Sequence, residues 1–201
     1  MKYCLNLLLL FVLLSAEAQT NFDPTSFKVS KADVLTNEYI PDSTANALVI
    51  YEEGNTFYHD LKYKLITEVK KKIKIFNKDG VDKATIEIPL YNTDDKRRRV
   101  KISAIKAKTY NIKNDKLVIT SLEKSDIYKE VYDKNYTVVK FTLANVQEGS
   151  VITYSYTLES PFMNKYKGWN FQDDIPKLHS EYRTSTPGNY EYSIKLVGKS
   201  R

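Results

Sequence analysis

The chain has 201 residues, of which 42% are apolar and 28% charged, and it carries a formal charge of +6. That is enough chain for one sizeable domain, and an apolar fraction near the globular average argues against a wholly disordered protein. With a single cysteine, Cys4, against 16 tyrosines, an internal disulfide framework is ruled out.

Met1–Thr20 reads as an address. Lys2 supplies a short basic start, Leu5 to Leu14 is apolar apart from Asn6, and Ala16-Glu17-Ala18 is a small-x-small cleavage site. These are the three parts of a secretory signal peptide. The apolar run is too short for a comfortable membrane span, which needs roughly 20 apolar residues. We therefore expect residues 1–18 to be removed and the product to be secreted, residing in the periplasm or at the cell surface. Cys4 leaves with the signal peptide, so the processed chain has neither a Cys nucleophile nor a Cys-ligated metal site. No later segment is apolar enough to cross a membrane as a helix.

Residues 19–45 are polar and irregular. Ser30 is placed to cap a short helix over Lys31–Leu35, and Asp42-Ser43-Thr44 reads as a turn after Pro41. From Ala47 the apolar period becomes two. Leu65, Val69, Ile73 and Ile75 alternate with Glu68, Lys70, Lys72 and Lys74, which predicts a long strand with one wet, lysine-loaded face. Asn77-Lys78-Asp79-Gly80 reads as a turn with Gly80 at positive φ, so 64–91 is predicted to be a hairpin whose second strand points Ala84, Ile86, Ile88 and Leu90 inward.

Val100–Asn111 and Lys116–Thr120 flank a second turn at Lys113-Asn114-Asp115. Thr137–Val146 turns Val139, Phe141 and Leu143 inward. Glu148-Gly149 then leads into Val151–Leu158, which predicts another hairpin. Leu178–Thr186 and Tyr190–Val197 read as two more strands, while Leu122–Glu130 is ambiguous between helix, loop and strand. Roughly nine to eleven strands with little helix predict an all-β fold, an antiparallel β-sandwich over residues 46–201. Its expected core is Val69, Ile73, Ile75, Ile86, Ile88, Val139, Phe141, Ile152, Tyr154 and Tyr156.

Catalytic motifs are missing. The two histidines, His59 and His179, lie in neither a G-x-S-x-G nor an H-E-x-x-H pattern, so an enzyme is not expected and no cofactor is implied. Asp173, Asp174, His179 and Glu181 concentrate potential metal ligands, and His179 and Glu181 share a face if they lie on a strand. Their spacing matches no known ligand pattern, so a solvated turn is the plainer reading and a metal site the alternative. Tyr166, Trp169 and Phe171 form an aromatic cluster that suits either a sugar face or a loop folded over the end of the sandwich. Lys96-Arg97-Arg98-Arg99 is a basic run that can meet anionic groups, partly offset by Asp94 and Asp95. Without a recognisable nucleic-acid-binding module, nucleic acid is not an expected partner.

Several linked blocks carry a resemblance. They are Ala47–Gly54, KKIKIFNKDGVDKATIEIPLYN (71–92), IKAKTYNIKNDKLV (105–118), KFTLANVQEGSVITYSYTLESPF (140–162) and WNFQDDIPKLHSEYRTSTP (169–187). In order and spacing the chain resembles the bacterial domain of unknown function 3857. The resemblance implies a secreted or periplasmic β-sandwich that usually precedes a transglutaminase-like domain in longer chains. It implies no catalytic or binding residue. Together with the lack of a nucleophile, it gives the expectation of a non-catalytic accessory domain, with a protein or glycan of the cell envelope as partner and a transglutaminase-like domain in cis. A glycan-binding module resting on Tyr166, Trp169 and Phe171 is the alternative.

Overall fold

The structure is a computed structural model that describes residues 22–188 apart from Asp60, Lys62 and Lys96. The expected signal peptide (1–18) and the strand expected over 190–197 lie outside the described residues. Nine strands are described: β1 (Ala47–His59), β2 (Lys64–Ile75), β3 (Thr85–Tyr91), β4 (Lys101–Lys113), β5 (Lys116–Ser121), β6 (Ile127–Val131), β7 (Tyr136–Thr142), β8 (Val151–Ser160) and β9 (Ser180–Ser185). They form a six-stranded sheet in the order β5-β4-β8-β2-β1-β9 and a three-stranded sheet in the order β3-β7-β6. The fold is an all-β sandwich, antiparallel throughout these strand pairs except for the parallel pair β1–β9.

The expected core is in place. Phe141, Ile75 and Ile152 are completely buried, and Val69, Ile73, Ile86, Ile88, Val139 and Tyr156 pack with them, while Tyr154 lies half-buried against the cluster. The β4–β5 hairpin also stands, because Asn114 (φ 51°) and Asp115 (φ 61°) both take the left-handed conformation that a two-residue hairpin loop requires. The ambiguous stretch resolves into a short 3₁₀ turn at Lys124–Asp126 followed by β6.

Two expected hairpins do not form. β2 pairs with β1 and β8, whereas β3 pairs with β7, so residues 64–91 are split between sheets. The link is a 3₁₀ stretch, Lys78–Ala84, started by the Asn77 side chain, which accepts from the Asp79 and Gly80 amides at 3.0 and 3.3 Å. Gly80 is needed there for space rather than for positive φ: a Cβ on it would come within 2.3 Å of the Asn46 carbonyl oxygen. Likewise the turn at Glu148-Gly149, with Gly149 at φ +84°, passes the chain from β7 to β8 in the other sheet. Both links are longer than a two-residue turn, and that length lets consecutive strands change layers.

The lysine face of β2 is the third correction. Lys72 and Lys74 are fully buried. The N-terminal segment lies over this outer face of the large sheet, led by the helix α1 (Lys31–Leu35). Ser30 and Asp33 close a reciprocal capping box at its start, with Ser30 N donating to Asp33 Oδ2 at 2.7 Å and Asp33 N to Ser30 Oγ at 3.2 Å. Val29 and Val34 pack against Val151, Tyr110 and Ile112. Lys72 Nζ then reaches Asp33 Oδ2 and the carbonyls of Asp23 and Lys28, each at 3.3 Å. Lys74 Nζ donates to the Val34 and Gly149 carbonyls at 2.6 Å. The face that alternation alone reads as wet is thus covered by a third layer.

Candidate functional site: a cleft between the sheets

The three-stranded sheet covers only part of the large sheet's inner face. The remainder is roofed by the chain between β8 and β9, residues 161–179, and a cleft lies between that segment and β3. It contains a cavity of about 330 Å³ whose lining includes Leu65, Thr67, Tyr156 and Leu158 of the large sheet. Ile88, Pro89 and Tyr91 form one wall, with Phe162, Lys165 and Lys167 opposite. Glu87 lines this cavity and also a neighbouring one that reaches Lys71, Ile73 and Asp174, so the cleft runs along β3.

A polar cluster pins the roofing segment. β1 carries a bulge between Val49 and Tyr51, which shifts the alternation and turns Glu52 onto the inner face opposite Lys71. The Glu52 carboxylate binds Lys71 Nζ at 3.0 Å and Lys177 Nζ at 2.7 Å and accepts from Ser180 Oγ at 3.1 Å. Lys177 Nζ also donates to the Asn170 carbonyl at 2.6 Å. Trp169 Nε1 donates to Ser180 Oγ at 3.0 Å, and the indole stacks on Tyr182 with centroids 5.1 Å apart and planes 8° from parallel. Gly54 makes room for this stack: a Cβ there would sit 2.5 Å from the Trp169 ring and 2.7 Å from that of Tyr182.

Electrostatically the cleft mouth is positive. Lys165 Nζ lies over the Tyr91 ring at 4.8 Å and the Phe162 ring at 5.7 Å, and Arg98 lies over Phe162 at 5.5 Å. Among the described residues no carboxylate pairs with Arg98, Lys165 or Lys167. Lys167 is exposed as a residue, but partial desolvation against the cleft holds its ammonium below the usual lysine range, with nearby Glu52 opposing that shift and Lys71 adding to it. Burial also raises the Tyr156 and Tyr154 hydroxyls far above the usual tyrosine value. The phenols therefore stay neutral, and the site offers an apolar interior beneath a cationic rim.

Trp169 thus serves the roof, Tyr166 is half-buried, and Phe171 is 58% exposed. The candidate metal ligands are drawn to cations instead. Asp174 pairs with Lys83 at 2.5 Å, Glu181 with Arg183 at 2.7 Å, and Asp173 approaches Lys177 at 3.8 Å. His179 Nε2 stands 3.8 Å from Glu181 and its ring stacks on Tyr51 at 5.2 Å. No group of three or more potential metal-holding side chains occurs among the described residues. His59 ends β1, its carbonyl accepting from Tyr63 N at 2.9 Å. Within the basic run Arg97 pairs with Asp95 at 3.2 Å, and Lys96 lies outside the described residues.

Sequence reasoning marked Arg98 only as part of the basic run 96–99 and did not single out the cleft residues Phe162, Lys165 and Lys167. The available signal was weak: Lys165 and Lys167 flank Tyr166 in an aromatic stretch, but their approach to β3 is made only by the fold.

A family profile described as "Domain of Unknown Function with solved-structure structure (DUF3857)" matches residues 62–201. No curated protein matches the chain. Among solved structures it is similar to a "putative protease" from Parabacteroides distasonis ATCC 8503, at 11% identity and TM-score 0.47, over 57% of this chain and 23% of that one. It is also similar to Legionella pneumophila aminopeptidase A in complex with aspartic acid, at 11% identity and TM-score 0.26, over 60% of this chain and 11% of that one. The chain therefore spans less than a quarter of the length of either structure.

Proposed function

From the premise that the chain belongs to the DUF3857 family, we propose that it is a non-catalytic binding domain of a secreted or periplasmic protein, working in cis beside a transglutaminase-like domain. Its recognition site is the cleft along β3. One observation carries this reading: a mostly apolar cavity of about 330 Å³ opens beneath three cations, Arg98, Lys165 and Lys167, none of which forms an ion pair among the described residues. Ligand sites are concave, mostly apolar and equipped with a few convergent polar groups. The ligand class that fits is an anion with an apolar body. The signal-peptide pattern of residues 1–18 supports export, and the block resemblance supports the transglutaminase-like neighbour, which the reading frame downstream of Arg201 would reveal.

Titration with 1-anilinonaphthalene-8-sulfonate, an aromatic anion, tests the site. We expect saturable binding at one site, weakened in Lys165→Glu/Lys167→Glu. Absence of saturable binding, or binding indifferent to that double reversal, would sink the cleft reading. The second reading, a glycan-binding surface, draws on the exposure of Phe171, two residues along the chain from Trp169. Undiminished binding of Trp169→Ala on a glycan array would remove it.

A further inference from the structure

The wall of the cleft is also the free edge of a sheet. β3 is an edge strand of the three-stranded sheet, with β6 at the other edge. Leu143 N donates to the Ala84 carbonyl at 3.0 Å, and Asn92 N donates to the Asn135 carbonyl at 2.6 Å, at the two ends of the β3–β7 pairing. Bonded and non-bonded pairs alternate along an antiparallel ladder. Ile86, Ile88 and Leu90 therefore bond to β7, and Thr85, Glu87, Pro89 and Tyr91 turn their main-chain groups towards the open side. Thr85 N is taken by the Asp82 carbonyl and the Tyr91 carbonyl by Val100 N. Among the described residues the carbonyl of Thr85, the amide and carbonyl of Glu87, the carbonyl of Pro89 and the amide of Tyr91 remain. They lie beside the apolar cavity and beneath the unpaired cations of the opposite wall.

We propose that the cleft binds an extended acidic peptide, which adds as a fourth strand against β3, places an apolar side chain in the cavity and sets its carboxylates against Lys165 and Lys167. The proposal rests on the cleft reading above and specifies its ligand. Strand addition uses main-chain bonds for affinity and side-chain pockets for specificity. Pro89 lacks an amide hydrogen, so the added strand is short and centres on Glu87, whose side chain is already neutralised by Lys140 at 2.6 Å. An acidic peptide also fits better than the chain's own residues 189–201, NYEYSIKLVGKSR, which carry three basic residues against one acidic residue.

The test uses the full chain and a fluorescein-labelled heptapeptide that alternates valine or phenylalanine with glutamate, read by fluorescence anisotropy. We expect saturable binding that weakens by roughly tenfold or more, the scale of a lost charge-assisted contact, in Lys165→Glu/Lys167→Glu. A similar loss is expected when lysine replaces glutamate in the peptide, and again when alternate peptide amides are N-methylated. Both substituted lysines are exposed, and an unchanged thermal midpoint confirms that the variant is folded. Equal binding of the N-methylated peptide would overturn strand addition, and equal binding of the lysine peptide would overturn charge recognition. If 1-anilinonaphthalene-8-sulfonate binds at one lysine-dependent site while the glutamate peptide does not bind, the strand proposal fails and the cleft reading stands. If neither binds, both fail.

Discussion

Lys74 offers a sharp test of the three-layer architecture. Its ammonium is fully buried, with two carbonyl acceptors at 2.6 Å and no carboxylate paired with it among the described residues. Burial pulls its pKa down from 10.5 to about 8, with the Asp33 charge opposing the shift. The unfolded chain therefore binds more protons than the folded one between about pH 8 and 10.5, and stability must rise with pH across that window. Between pH 7.5 and 9.5 those two pKa values correspond to a gain of roughly 2 kcal/mol. Urea unfolding of the wild type and of Lys74→Met at pH 7.5, 8.5 and 9.5 measures it, because subtracting the Met variant cancels the other titrating groups. Lys72, whose pKa burial also lowers, contributes with the same sign to both proteins. Working below pH 10 avoids the opposite effect of Tyr51, raised by burial and by its bond to Glu53, whose tight hold on its proton costs stability above pH 10. A wild-type minus Lys74→Met difference that stays flat with pH would refute the burial of this lysine beneath α1.

Three further outcomes follow from the packing. Lys72→Met leaves the buried Asp33 carboxylate without its cation and should cost about 3–5 kcal/mol by chemical denaturation, whereas Lys72→Met/Asp33→Leu should cost much less; equal losses would refute a buried pair. Phe141→Ala, at a completely buried position, should cost about 3–5 kcal/mol, and a loss below about 1 kcal/mol, typical of a surface change, would contradict its place in the core. Gly54→Ala should displace the indole from Tyr182 and shift the emission of the chain's single tryptophan, Trp169; an unchanged spectrum would refute the stack.

Alternation made the strands and the inward set around Phe141 legible, because period two follows directly from the pleat. It does not say which neighbour a strand takes or what lies over its polar face. Lys70, Lys72 and Lys74 look identical in sequence, yet Lys70 stays partly exposed beside Glu53 while the other two are buried under a segment some forty residues earlier. The one local clue was Asp33, which completes the capping box with Ser30 and then serves Lys72. The bulge in β1 was likewise hidden, and with it the inward turn of Glu52. A cleft assembled from residues 65–67, 87–91, 156–158 and 162–167 leaves no contiguous motif for a reader of the sequence to find.

The family match begins at residue 62, but the packing places essential structure before it. β1 lies between β2 and β9 in the large sheet, so removing it would strip one side of β2 and leave β9 without its partner. Glu52, which draws Lys71 and Lys177 together and so fixes the roof of the cleft, is on the same strand. Further upstream, residues 23–34 satisfy Lys72 and cover Lys74. Without them two ammonium groups would lie on a bare sheet face and Val151 would lose Val29 and Val34. Among the described residues the packed unit therefore extends upstream of residue 62 to near Asp23. The cleft depends on that whole unit, because its floor is held in register by β1 and its roof by a carboxylate on β1.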